Sequence, residues 1–224
     1  MNQEKKTMGV IALVCLVVTV IWLALFVATT ATEGAIESRE QALASVASLG
    51  SLHYVTYINA ALITVSATML FAGLAVVCWS EDALWSAMAS AFVPVYGLLN
   101  LFVYVSQITI VPRLVALRPG VDPMLAQMVQ AWPASMVNVL NNLGYAVLGI
   151  PSIIFGILLP RRDGALRATG ALLTASGVAS WVGIIGIASA SDVLSFGSIL
   201  GGVLFLGALV GMSFVWLRAG RETG

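Results

Sequence analysis

The chain has 224 residues, 60% of them hydrophobic and only 9% charged, with ten Lys and Arg against ten Asp and Glu. A soluble domain carries about 25% charged residues, so the composition excludes an ordinary water-soluble domain. The balanced charge, with no basic run longer than Arg161-Arg162, leaves no electrostatic footprint for nucleic acid.

The mean hydropathy of +1.01 is concentrated in six apolar stretches separated by the charges. Each exceeds the roughly 20 residues that a membrane-spanning helix needs. The expected fold is an all-α, polytopic bundle of six transmembrane helices in one domain, 1–224, with the lipid bilayer as its first partner. The first span covers about 8–31. Its apolar run is longer than the roughly 7–15 residues of a signal-peptide core, so it is expected to be a retained helix. Residues 32–51 then place Ala35, Ile36, Ala42, Leu43, Val46 and Leu49 at near-helical spacing, among Glu33, Glu37 and Glu40. This segment reads as a short amphipathic helix lying on the membrane surface.

The second span, about 52–79, ends at Ser80-Glu81-Asp82, and the third, about 83–111, contains Pro94, which is expected to kink it. In the following loop Asp122 is the expected N-cap, with Pro123 at the first helical position. Met124, Leu125, Met128, Val129 and Trp132 continue as an apolar stripe, a second surface helix. Spans four, five and six cover about 134–159, 168–189 and 193–217. Trp79, Trp85, Trp132 and Trp216 fall near span ends and read as interfacial anchors. Cys15 and Cys78 read as small buried hydrophobes rather than a disulfide.

Charge sets the expected orientation. Lys5, Lys6, Arg161, Arg162, Arg167, Arg218 and Arg221 lie on one side of the membrane, and Arg39, Arg113 and Arg118 on the other. Seven against three places both termini in the cytoplasm, and the expected membrane is the plasma membrane.

No Asp, Glu, Lys or Arg lies deep in a span, which argues against proton pumps and voltage sensors. A single histidine, His53, rules out bis-histidine haem, and no lysine is available within a span for a retinal Schiff base. No metal site and no cofactor is expected. Acid–base chemistry could come only from His53 or from loop residues such as Glu81 and Asp82, so the chain is not expected to be an enzyme.

Neutral polar residues form stripes instead. His53, Tyr57, Thr64 and Thr68 share a face of the second span, with Asn59 beside it. Tyr96, Asn100, Tyr104 and Gln107 share a face of the third, and Asn138, Asn142, Tyr145 and Gly149 one of the fourth, with Asn141 at its edge. Hydrocarbon cannot satisfy amides, so these faces should meet one another. Two uses stand open: interhelical hydrogen bonding, at about 0.6 kcal/mol per bond, or an outward-opening pocket with amide and phenol walls. Such a pocket suits a neutral or zwitterionic ligand, or a cation on the tyrosine faces.

The fifth span repeats Ala171, Ala175, Ala179 and Gly183 every four residues, and the sixth carries Gly197/Gly201 and Gly207/Gly211 as two GxxxG pairs. These are helix-packing surfaces, within the chain or in a homo- or hetero-oligomer. The two halves of the chain show no residue match of the kind an inverted-repeat transporter has.

The segment Leu159-Pro160-Arg161-Arg162 leading to Gly170, with the closing Trp216-Leu217-Arg218-Ala219-Gly220, resembles a class of small uncharacterised multi-pass prokaryotic membrane proteins. The resemblance implies a six-helix integral membrane protein and no activity. The first functional expectation is a non-catalytic accessory or assembly subunit of a membrane complex. The second is a small carrier or channel for a neutral or zwitterionic solute.

Overall fold

The computed structural model describes residues 2–219 except 35 and 48, with the backbone alone at 2, 32, 33 and 219. Ala35, Gly220 and Arg221 therefore lie outside the described residues. Eight α-helices follow in order: α1 (Asn2–Glu33), α2 (Arg39–Ser45), α3 (Ser51–Cys78), α4 (Ala83–Ala116), α5 (Asp122–Met128), α6 (Met136–Arg162), α7 (Arg167–Ala188) and α8 (Asp192–Ala219). A single 3-10 turn, Gly164–Leu166, joins α6 to α7, and no strand occurs among the described residues. Six of the helices, α1, α3, α4, α6, α7 and α8, are long and apolar enough to cross a membrane. The architecture is that of a multi-pass membrane protein.

Several helices outrun the apolar stretches that announced them. α4 continues through Pro112 to Ala116, and α6 through Pro160 to Arg162. Charge ends an apolar stretch but not a helix, and Arg113, Arg161 and Arg162 sit in last turns, where the helix dipole favours them.

The six long helices pack as a ring: α1, α3, α4, α6, α7, α8 and back to α1. α6 is the most enclosed, with 56% of its most apolar window buried against 11% for α1. At the end that carries both termini, Lys5 pairs with Asp163 at 3.1 Å, and Arg162 donates to Ser80 Oγ at 2.7 Å. Phe71 fills the ring interior there, its ring 6.2 Å from Phe155 and 6.1 Å from Phe205. Trp216, expected as an interfacial anchor, is instead 2% exposed and belongs to this core, whereas Trp79 and Trp85 are exposed. The free thiols of Cys15 and Cys78 are buried.

At the distal end, α2 and α5 cap the bundle. Ser38 and Gln41 form a reciprocal capping box that starts α2. Ala42, Leu43 and Val46 pack with Leu125, Ala126 and Val129 in a second core over Val103, Val111 and Val137. Asp122 does not cap α5. Val121 takes that position, and the Asp122 carboxylate accepts from Arg118 Nε at 2.8 Å. Arg118 also donates to the Leu43 carbonyl, joining the two cap helices.

Backbones approach most closely in α6, α7 and α8. A Cβ at Gly156 would stand 2.6 Å from the Gly170 carbonyl, and one at Gly149 2.8 Å from that of Gly177. Pro160 lacks the N–H that the Gly156 carbonyl would otherwise accept, and that carbonyl lies against Gly170. Between α7 and α8, Gly197 faces the Ala179 carbonyl and Gly183, Gly201 faces Ser180, and Gly211 faces Thr169. Gly207 touches Leu172, while Ala175 lies on the exposed side of α7 and takes no part in this contact.

Candidate functional site

Three helices, α3, α4 and α6, bring their polar stripes together in the distal half of the ring. The outermost layer is organised by a residue that the stripes did not include, Gln130, in the link between α5 and α6. Its N–H donates to Gln107 Oε1 at 3.2 Å. Its Oε1 accepts from the Tyr57 hydroxyl at 3.2 Å, and its carbonyl accepts from Asn138 Nδ2 at 2.9 Å. One loop residue thus ties α3, α4 and α6 at their distal ends.

Gln107 completes this layer. Its side-chain amide nitrogen, Nε2, donates to the Met128 carbonyl at 2.8 Å, fixing the end of α5, and the residue is 1% exposed. His53 Nε2 stands 3.0 Å from the Gln107 carbonyl. A carbonyl only accepts, so Nε2 carries the proton. The His53 and Tyr57 rings meet edge to face at 4.8 Å. Asn142 donates to both the carbonyl and Oδ1 of Asn138, one turn back on its own helix.

Below this layer lies a tyrosine cluster. The Tyr104 and Tyr145 hydroxyls are 2.7 Å apart, and the Tyr96 ring is 6.0 Å from that of Tyr145. Tyr96 and Tyr104 are 1% and 3% exposed. Asn100 sits one turn from each on α4, wholly buried, with its amide packed against Gly144 of α6. Thr64 and Thr68 return their hydroxyls to α3 carbonyls, and Thr68 also meets Gly97. From Gln107 to Tyr96 the column covers eleven residues of α4, about 16 Å. That is roughly half the apolar thickness of a bilayer.

All nine expected pocket residues, His53, Tyr57, Tyr96, Asn100, Tyr104, Gln107, Asn138, Asn142 and Tyr145, therefore lie along one column. The end of α5 and the link carrying Gln130 lie at its distal end. Sequence periodicity missed Gln130 because it lies between helices. It also missed the Gly149/Gly177 and Gly156/Gly170 contacts, although a seven-residue glycine spacing recurs on both helices. The remaining acid–base candidates lie apart: Asp82 caps α4 at the terminal end, accepting from the Trp85 N–H. No group of three or more His, Cys, Asp or Glu able to hold a metal occurs among the described residues.

Among the described residues outside the spans, Asp163 is the titratable group with a shifted pKa. Burial alone would raise its carboxyl. Hydrogen bonds from Lys5 and the Ala165 N–H, with the Lys5 and Arg162 charges, hold it below the usual carboxylate range.

Comparison with family models, with curated proteins and with solved structures finds no match to this chain.

Proposed function

We propose that the protein is a non-catalytic carrier for a small neutral or zwitterionic solute, with the amide and phenol column between α3, α4 and α6 as its path. The observation that carries this reading is the continuity of that column, from the Gln130 layer to Asn100 at mid-bundle. Membrane interiors bury polar groups at a cost, and structural glue does not require them to line up over half a bilayer. Tyr96, at the inner end of the column, belongs to the same apolar core as Phe71 and Phe155. A blind polar column closed by a lid favours a carrier that opens alternately over a standing pore. In this reading the Lys5–Asp163 and Arg162–Ser80 contacts close the opposite end.

The loop charges support an orientation with both termini and the Lys5–Asp163 contact on the cytoplasmic side, and the membrane in this reading is the plasma membrane. Reporter fusions at Glu81 and Gln130 should then read inside and outside respectively.

Flux into proteoliposomes tests the path. Tyr104→Phe breaks the hydroxyl pair, and Asn142→Leu removes an amide. Each is expected to lower solute entry about tenfold, as loss of roughly 1.4 kcal/mol does. Unchanged flux in both variants removes the column from the mechanism.

An accessory or assembly subunit is the second reading, and one observation favours it. α1 and α8 part along a groove of about 550 Å³ lined by Leu13, Val210, Ser213, Phe214, Leu217 and Arg218, which suits a helix of another subunit. The GxxxG pairs of α8 are engaged within the chain at Gly197, Gly201 and Gly211, so a partner would use this groove instead. A chain that stays monomeric in detergent and recovers no partner from native membranes excludes this reading.

A further inference from the structure

Hydrogen-bond donors and acceptors do not balance in the middle of the column. Asn100 is 0% exposed; its Nδ2 reaches the Tyr96 carbonyl at 3.4 Å, and its Oδ1 has no partner. Turning the amide over would set Oδ1 against that carbonyl, two acceptors together, so chemistry fixes the orientation. Asn141 is 8% exposed, and its Oδ1 is likewise without a partner. Asn141 precedes Gly144, the residue on which Asn100 packs, by three positions. It therefore stands on the same side of α6, one turn nearer the distal end.

Three phenol rings surround this point. Tyr96 and Tyr104 flank Asn100 on α4, and Tyr145 contacts both. Of the Tyr104 and Tyr145 hydroxyls, one donates to the other, so neither is turned to the Asn oxygens as its sole partner. What the cluster offers in addition is acceptor capacity: the buried Asn100 Oδ1 between Tyr96 and Tyr104 on α4, and the Asn141 Oδ1 one turn away on α6. A buried acceptor without a donor is destabilising and calls for one.

We infer that this cluster is the binding centre of the path and takes its ligand by an N–H-bearing group, an ammonium or a primary amide. The inference deepens the carrier reading and rests on it. The N–H groups donate to Oδ1 of Asn100 and of Asn141. The rest of the head lies against the rings of Tyr96, Tyr104 and Tyr145, where a cation gains further from the aromatic faces. A ligand with acceptors alone would leave both Oδ1 atoms without a donor.

Matched probes test the requirement on the purified full chain in detergent. Methylammonium is compared with tetramethylammonium, and acetamide with N,N-dimethylacetamide, by thermal unfolding at equal millimolar concentration. In each pair only the N–H count and bulk change. The expected result is a rise in Tm of roughly 2–4 °C with the N–H-bearing member of at least one pair and none with its methylated partner. Asn100→Leu and Asn141→Leu should each abolish that rise. The comparison in the unsubstituted chain stands even where a variant does not fold.

Equal shifts within both pairs overturn the inference. So does the absence of any shift, which would mean that water satisfies the two oxygens. Flux separates the two claims. A chain that conducts solutes but shows no N–H preference loses only the ligand class. A chain that binds methylammonium yet conducts nothing loses the carrier reading.

Discussion

The Asn100 amide of α4 packs directly on Gly144 of α6, in the space that any side chain at position 144 would occupy. The residues are complementary in size, and each limits the other. Gly144→Ala is expected to destabilise the chain by about 1–3 kcal/mol through overpacking. Asn100→Ala in the same background should recover part of that loss. Unfolding of the two single variants and the double variant gives the coupling. Additive effects would mean that the two side chains do not share this space.

Glycines of the bundle should divide sharply by what they face. Gly156→Ala brings a Cβ to 2.6 Å from the Gly170 carbonyl and 2.8 Å from the Thr174 nitrogen. Backbone cannot rotate aside, so α6 and α7 must part, at a cost of about 1–3 kcal/mol or more. Gly202 has nothing within 4 Å of its would-be Cβ. Gly202→Ala should be neutral or stabilising by up to about 1 kcal/mol, from helix propensity alone. Thermal unfolding of the two variants side by side checks the contrast.

Acid should loosen the end that carries the termini. The folded chain holds the Asp163 carboxyl below its unfolded value, so the folded state binds that proton less readily. The stabilisation is fully present above about pH 4, the unfolded carboxylate value, and is lost as pH falls through the lowered folded value. Raising the pH from 5 to 7 adds nothing. Asp163→Asn should lower Tm at neutral pH and flatten its dependence on pH in the acid range. A variant that retains the full acid dependence would place its origin elsewhere.

Gln130 is expected to hold the distal cap shut. Gln130→Ala removes the acceptor used by the Tyr57 hydroxyl and leaves the two main-chain contacts of the residue less restrained. Local opening should become easier by about 1–3 kcal/mol. Hydrogen exchange over residues 121–135 reads this directly, and unchanged protection there would show that α5 is held by its apolar contacts alone.

The spans were legible because hydrocarbon imposes one rule, that charge stays at the ends, and the chain obeys it. The cap helices were legible from the spacing of Ala42, Leu43, Leu125 and Met128. The column was legible as three faces, since Tyr96, Asn100 and Tyr104 or Asn138, Asn142 and Tyr145 repeat at helical spacing. Gln130 was not, because a residue between helices has no period to betray it. Trp216 was misread because an interfacial anchor and a buried core indole occupy the same position near a helix end. Ala175 followed the four-residue repeat of its stripe, but a 3.6-residue helix carries such a repeat round to the exposed side.

Gly9 of α1 approaches Leu217 of α8, where a Cβ would stand 2.9 Å from Leu217 Cγ. The ring is therefore closed by two segments about 200 residues apart in the chain. During synthesis α1 enters the membrane long before the helix that completes its packing exists. Its other neighbour, α3, covers one flank only. Until α8 arrives, α1 has lipid where Leu217 will be, so the order of insertion and the order of assembly must differ. A chain stopped after α7 would be a row of helices with two open edges rather than a smaller version of the same bundle.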